Sequence, residues 1–306
     1  MERSKSTIFI FGSILMFSLS TLMCFWEINP FYRFYYIFAW YSYIIFVDGI
    51  IFSIKAESLI LSRPKEFLHI LVLSIGWWFF FEIANISLKN WNYIMLPYDK
   101  TERYLGYILS YATVLPAIFE TAELIETIGI FKNAGIKKIN LSLKDTTTFI
   151  SVGFLMFVLS ITIPSVFFPF IWVSLIGVFD PLNWKMQENS FLDDINKGDG
   201  ERIYTLFIAG IVCGFMWEMF NYKAGAKWTY TLAYLNSPKL FEMPLAGYLG
   251  FGFFAMECYS FYIFINNIRR KYKKYYYPLL FISVASLSLT SIILIDKYTV
   301  KSFVLM

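Results

Sequence analysis

The stretch TTTFISVGFLMFVLSITIPSVFFPFIWVSLIGVF, residues 146–179, decides the fold: it runs 34 residues without a charge and carries Pro164 and Pro169 in its middle. A helix crossing a hydrocarbon core needs about 20 mostly apolar residues, so the stretch is too long for one untilted span. Proline breaks a helix interior, and we read two short helices meeting near residues 164 to 169. Working outward, further spans are expected near 7–26, 34–54, 67–87, 104–131, 203–222, 244–267 and 275–295, which makes nine. Lys and Arg gather in cytoplasmic loops, so counting them on each side tests the split. With nine spans, 17 of the 26 Lys and Arg fall on the N-terminal side and 9 on the other; with 146–179 as one span the count is 14 against 12. The two-helix reading gives the stronger bias. It places the N terminus, the Lys137 and Lys138 loop and the Arg269 to Lys274 cluster in the cytoplasm, with the C terminus outside the cell membrane. Residues 7–26 hold no charge and no small-residue cleavage site follows them, so a retained first span is expected rather than a cleaved signal peptide.

Composition agrees. The 306 residues are 58% hydrophobic, 21% aromatic and only 16% charged, which excludes an ordinary cytosolic globule, a disordered chain and a disulfide scaffold. The three cysteines, Cys24, Cys213 and Cys258, lie in apolar stretches without CxxC or metal-ligand spacing. No Ser-His-Asp set, Walker loop or GxGxxG is present, so neither a cofactor nor a metal is expected. The lipid bilayer is the expected partner; a net charge of +4 spread over short loops gives no nucleic-acid partner.

The chain also repeats itself. WWFFFEIANISLKNWNY (77–93) reappears as GFMWEMFNYKAGAKWTY (214–230), each with an acid, an Asn three residues on, and a Trp-x-Tyr in the following loop. Glu82 maps to Glu218 and Asn85 to Asn221 at a separation of 136; Trp91 maps to Trp228 and Tyr93 to Tyr230 at 137. Upstream, Asp48 answers to Asp180, and downstream Glu120 to Glu257. Four spans per unit is even, so both units enter from one side and are parallel repeats. The expected fold is therefore all-α, a polytopic bundle of about nine transmembrane helices. Its first four-helix repeat is 1–140, its second 141–270, and a C-terminal helix and tail occupy 271–306.

Asp48, Glu82, Glu120, Glu123, Asp180, Glu218 and Glu257 all fall in these spans, none of which has an internal Lys or Arg. An acid at the bilayer centre costs about 2.5 to 3.5 kcal/mol on insertion scales, so these acids are expected to face a cavity or one another. Burial disfavours the charged carboxyl and neighbouring carboxylates repel, so some should stay protonated near neutral pH. The three-residue spacing puts Asn85 and Asn221 on the faces of Glu82 and Glu218, where each amide is expected to orient its carboxyl. Glu120 and Glu257 are expected to complete the polar centre. Asp48, Asp180, Trp78, Trp217, Trp91, Trp228, Tyr93 and Tyr230 are expected to contact substrate, with Trp77, Phe79, Phe81 and Phe215 crowding the acids.

Plainer readings stand beside these. The Glu-x-x-Asn pairs also suit interhelical hydrogen-bond glue, worth about 0.6 to 2 kcal/mol per contact. The Trp-Tyr loops suit interfacial anchors. Glu123 and Glu126 read as a solvated helix end beside Lys132, His69 as a snorkelling interface residue, and Glu188 to Glu201 as a soluble turn.

Two classes of function would use such acids. In one, neutral carboxyls act as general acids on a membrane lipid or isoprenoid substrate, and aromatic walls stabilise a carbocation. In the other, the acids bind a coupling proton or cation in a transporter. A non-catalytic assembly subunit is the third possibility. Trp217–Glu218, the KWTY at 227–230 and the FEMP at 241–244 resemble motifs of the small integral-membrane terpene and carotenoid cyclases, of the lycopene cyclase and fungal meroterpenoid cyclase types. The resemblance covers the second repeat and part of the first, and implies a membrane-embedded lyase or isomerase with Glu218 as proton donor. The lycopene cyclase type has paired acids after its proline, whereas Leu245 and Ala246 follow Pro244 here and Glu242 precedes it. The resemblance favours the enzyme: cyclisation, isomerisation or hydration, with Glu82 or Glu218 as donor.

Overall fold

The computed structural model describes residues 2–234 and 236–304. Among the described residues nine helices are long and apolar enough to cross a membrane. They are α1 (Ser4–Phe25), α2 (Tyr35–Lys55), α3 (Pro64–Leu88), α4 (Lys100–Ile128), α5 (Asp145–Thr162), α6 (Pro164–Lys185), α7 (Glu201–Lys223), α8 (Gly247–Lys271) and α9 (Lys273–Tyr298). The stretch 146–179 does turn back on itself. Ile163 leaves helical geometry (φ −130°, ψ 58°) because Pro164 crowds the residue before it, and a 3-10 turn at Phe168–Phe170 follows around Pro169. The hairpin closes where two glycines meet: a Cβ on Gly153 would lie 2.9 Å from the Gly177 Cα and 2.7 Å from the Ser174 carbonyl oxygen.

One break was not anticipated. The span expected to be continuous over 104–131 is interrupted between Tyr111 and Val114. Pro116 explains it, since its ring clashes with the carbonyl four residues back, at Ala112.

Among the described residues six short strands lie between or after the helices: β1 (Trp91–Ile94), β2 (Leu96–Pro97), β3 (Lys227–Tyr230), β4 (Lys239–Leu240), β5 (Met243–Pro244) and β6 (Phe303–Val304). They gather the loops of one end. β1 pairs with β3, β2 with β6, the Tyr32 and Arg33 carbonyls accept from Gly225 and Ala226, and Tyr234 donates to the Val166 carbonyl. At the other end Glu123 pairs with Lys55 and Arg63, Gly198 accepts from Ile136, and Glu188 pairs with Arg270. The loop at 163–170 thus shares an end with the loops after α3 and α7.

α1, α5 and α9 form the rim and leave apolar side chains such as Phe11, Leu15, Phe154, Ile282 and Leu289 exposed. α9 packs along α3 and is tied to α4 by Arg103, which donates to Asp296 from Nε and Nη2 and to the Pro97 and Tyr98 carbonyls from Nη1. α8 begins deep. Its Phe251 fits against Gly210 and Gly214 midway along α7, where any Cβ would strike the Phe251 backbone oxygen or ring. The chain before α8 descends beside the second half of α7, with Phe241 5.6 Å from Phe215 and 5.7 Å from Tyr222 between ring centroids.

Candidate functional site

The site grows from the ribbon of β1 and β3. In its antiparallel register Trp91 faces Tyr230 and Tyr93 faces Trp228, so the tryptophan of each motif stands opposite the tyrosine of the other. Asn85 and Asn221 set this arrangement, each by holding the strand that follows its own helix. Asn85 donates from Nδ2 to the Trp91 carbonyl (2.8 Å) and accepts on Oδ1 from the N–H groups of Asn90 (2.9 Å) and Trp91 (3.2 Å). Asn221 donates to the Trp228 carbonyl and accepts from the Trp228 N–H, both at 2.9 Å. The expectation that these amides orient their neighbouring carboxyls is therefore corrected. A strand leaving the helix end presents backbone donors and acceptors that an amide can satisfy together, and each Asn acts on its acid only through the aromatic residues it fixes.

Those residues reach the acids. Glu82 Oε1 accepts from Tyr93 Oη (2.6 Å), Trp78 Nε1 (2.9 Å) and Trp91 Nε1 (3.1 Å). Glu218 Oε1 accepts from Tyr230 Oη (2.7 Å), which in turn accepts from Trp228 Nε1 (2.9 Å). Burial, and then the adjacent carboxyl, hold both the Tyr93 and Tyr230 phenols well above their usual range, so each keeps its O–H as a donor. The second oxygen of each acid, Oε2, is buried and has no hydrogen-bond partner among the described residues.

A cavity of about 370 Å³ lies against these groups. Trp78, Trp91, Tyr93, Trp217, Trp228 and Tyr230 all line it; Glu82 and Glu218 do not, and stand one hydrogen bond behind the phenols. Sequence reasoning missed Tyr36, Tyr107, Tyr111 and Trp172 on the same wall. Tyr107 and Tyr111 are four apart on one face of α4, a spacing that was available as a signal; Tyr111 Oη lies 3.0 Å from Tyr93 Oη. Trp172 reaches the cavity only because α6 folds back beside α8, with its ring 5.5 Å from Phe254. Phe170, Leu249 and Phe253, all on the lining, are also exposed, so the cavity is not closed off beside α6 and α8.

No protein-family model, curated protein or solved structure matches this chain.

The remaining acids lie elsewhere. Asp48 accepts from the Ile60 N–H (2.6 Å) and Ser58 Oγ (2.9 Å), and Asp180 from the N–H groups of Phe191 (2.8 Å) and Leu192 (3.0 Å). Each clamps the turn after its own helix and neither lines the cavity, which corrects their expected contact with substrate. The reason is local: backbone donors some twelve residues on reach the carboxyl before any ligand does. Glu120 is fully buried beside Asp48 and Glu123, at the end of α4 away from the cavity, and Glu257 accepts from the Leu175 N–H (2.9 Å) where α6 is irregular. They do not join Glu82 and Glu218 in one polar centre.

Among the aromatic residues expected around the acids, Trp77 stacks on Phe261 at 4.0 Å outside the cavity and Phe215 points outward. Phe79 and Phe81 are fully buried, and Phe81 stacks on Trp172 behind the wall. Glu123 pairs with Lys55 and Arg63 and so is not a free helix end. His69 does not snorkel; it is buried, with Nε2 2.6 Å from Tyr276 Oη of α9 and Nδ1 3.3 Å from Arg269. Among the described residues no group of three or more His, Cys, Asp or Glu could hold a metal ion.

Proposed function

We propose that the chain is a multi-pass membrane protein built of two parallel four-helix repeats and a ninth helix, with its N terminus in the cytoplasm and the ribboned end outside. We further propose that it is an enzyme performing acid-catalysed cyclisation, isomerisation or hydration on an isoprenoid or similar lipid. One observation carries the reading: Trp and Tyr residues from both motifs line a single cavity, and each motif's acid sits directly behind its phenol. The matched clamps support the repeat, because Asp48 takes the N–H of Ile60 and Asp180 that of Leu192, both twelve residues on.

In this mechanism the phenol of Tyr93 or Tyr230 turns its hydrogen into the cavity and gives it to a substrate carbon–carbon double bond. The protonated carboxyl of Glu82 or Glu218 passes its own proton to the phenol oxygen, leaving a carboxylate. The substrate cation lies against the faces of Trp78, Trp172 and Trp217. Loss of a proton from the adjacent carbon, returned through the phenol to the carboxylate, restores the acid. A substrate entering from the bilayer would pass Phe170, Leu249 and Phe253 without crossing water.

The test is conversion of a membrane-lipid extract by purified protein, with products resolved by mass spectrometry. Loss of product in Glu218→Gln or Glu82→Gln, with the folded elution profile retained, is the expected result; product formation unchanged in both variants and in their combination refutes the mechanism. A proton- or cation-coupled transporter is the second reading, favoured by one observation: fully buried Glu120 and Asp48 form another acidic point at the end opposite the cavity. It requires a pH-dependent ion flux in liposomes and no altered lipid. An assembly subunit would show only changed stability or partner recovery in the same variants.

A further inference from the structure

Two arginines line the cavity, and they differ in how far their guanidinium groups are engaged. Arg103 commits Nε and Nη2 to Asp296 and Nη1 to two carbonyls. Arg33 spends only Nη1, on both Glu102 oxygens at 2.8 and 2.9 Å. Among the described residues nothing accepts from its Nε or Nη2, although its side chain is only 10% exposed. Those two nitrogens form the edge of a guanidinium that grips two oxygens at once. The position is built: the Tyr32 and Arg33 carbonyls are bonded to Gly225 and Ala226, and a Cβ on Gly225 would come within 2.8 Å of the Tyr32 ring.

We infer that the cavity binds a lipid with an anionic head, a carboxylate or a phosphate, gripped by the open Nε and Nη2 edge of Arg33. The chain of that lipid passes the Trp and Tyr wall and leaves between Phe170, Leu249 and Phe253. The volume of about 370 Å³ falls near the lower end of small-molecule sites, about 300 to 1,000 Å³, so it holds the head and the first part of a chain whose remainder lies in the bilayer. Charge decides against an uncharged hydrocarbon. An uncharged hydrocarbon leaves the Nε and Nη2 edge without acceptors, whereas a pair of ligand oxygens supplies them. The inference rests on the cavity being a lipid site and is independent of the chemistry done there.

Trp78, Trp91, Trp172, Trp217 and Trp228, five of the nine tryptophans, line the cavity, so brominated lipids report binding by quenching. Purified protein in micelles is titrated with dibromostearic acid, with phosphatidic acid carrying the same brominated chain, and with the matching brominated alcohol. Saturable quenching by the acid or the phosphatidic acid, at least about tenfold tighter than by the alcohol, is expected, and the stronger of the two identifies the source of the anion. Arg33→Gln removes that preference. Because it strands Glu102, the double variant Arg33→Gln with Glu102→Gln is measured beside it, and Glu102→Gln alone should tighten binding by removing the carboxylate charge that competes with the ligand for Arg33. Equal affinity for acid, phosphatidic acid and alcohol, or an unchanged preference in the double variant, overturns the anionic head while leaving a lipid site. Absence of saturable quenching by all three overturns both.

Discussion

Replacing Asn85 with alanine tests how the site is held together. The side chain is fully buried and makes three hydrogen bonds, one given to the Trp91 carbonyl and two received from the Asn90 and Trp91 N–H groups. Each bond contributes about 1 kcal/mol net, and stranding a buried partner costs about 1 to 3 kcal/mol, so Asn85→Ala should lose about 3 kcal/mol or more. Asn221→Ala, with two such bonds, should lose about 2 kcal/mol. Thermal unfolding of purified protein, followed by intrinsic fluorescence, gives the ranking. The cause is separated by repeating Asn85→Ala in a Glu82→Gln background. If the amide serves the strand, its cost persists there, because Glu82→Gln leaves the Asn90 and Trp91 backbone groups untouched. If the amide served the carboxyl instead, most of the cost would vanish, and that result would refute the reasoning.

Glu82→Leu should destabilise more than Glu218→Leu, by about 2 kcal/mol, because it strands three buried donors against one, while Glu82→Gln keeps an acceptor and should unfold close to wild type. Gly214→Leu drives a side chain into the Phe251 ring and should cost at least about 3 kcal/mol or abolish folded yield, whereas Gly12→Leu, with open space around it, should be neutral in the same expression and elution assay. Asp194, in the short helix Phe191–Lys197 between α6 and α7, is pushed up to about 6, by burial first, with Arg202 pulling the other way. The folded protein then holds its proton more tightly than the unfolded chain, so stability should fall, by on the order of 2 kcal/mol, as pH rises from about 4 to about 6. Asp194→Asn should remove that slope in melting curves taken across the window.

The helices and the matched acids were legible because both follow from local rules. Hydropathy and length marked the spans, Pro164 placed the turn, and the Glu, Asn, Trp and Tyr of the two motifs carried their spacing in the chain. What stayed hidden depends on which backbone groups come near a side chain after packing. Asp48 and Asp180 looked like exposed chemistry within a membrane, yet each has amide donors waiting in its own turn. Glu257 meets the Leu175 N–H only because α6 is irregular there, and Glu120 projects toward Asp48 because Pro116 interrupts α4 just before it. Arg33 gave no signal at all. Its neighbours in sequence are ordinary loop residues, and its place on the cavity wall is set by two hydrogen bonds from Gly225 and Ala226, nearly two hundred residues away.

The register of β1 and β3 makes their contact self-complementary. Exchanging the strands puts tryptophan where tryptophan was and tyrosine where tyrosine was, so the pairing is unchanged by the swap. Such a contact is what two copies of a shorter chain, each bearing a single strand, would form on meeting face to face. On the proposed repeat, separately expressed residues 1–140 and 141–306 are expected to associate through this ribbon, which co-purification of one tagged half with the other checks.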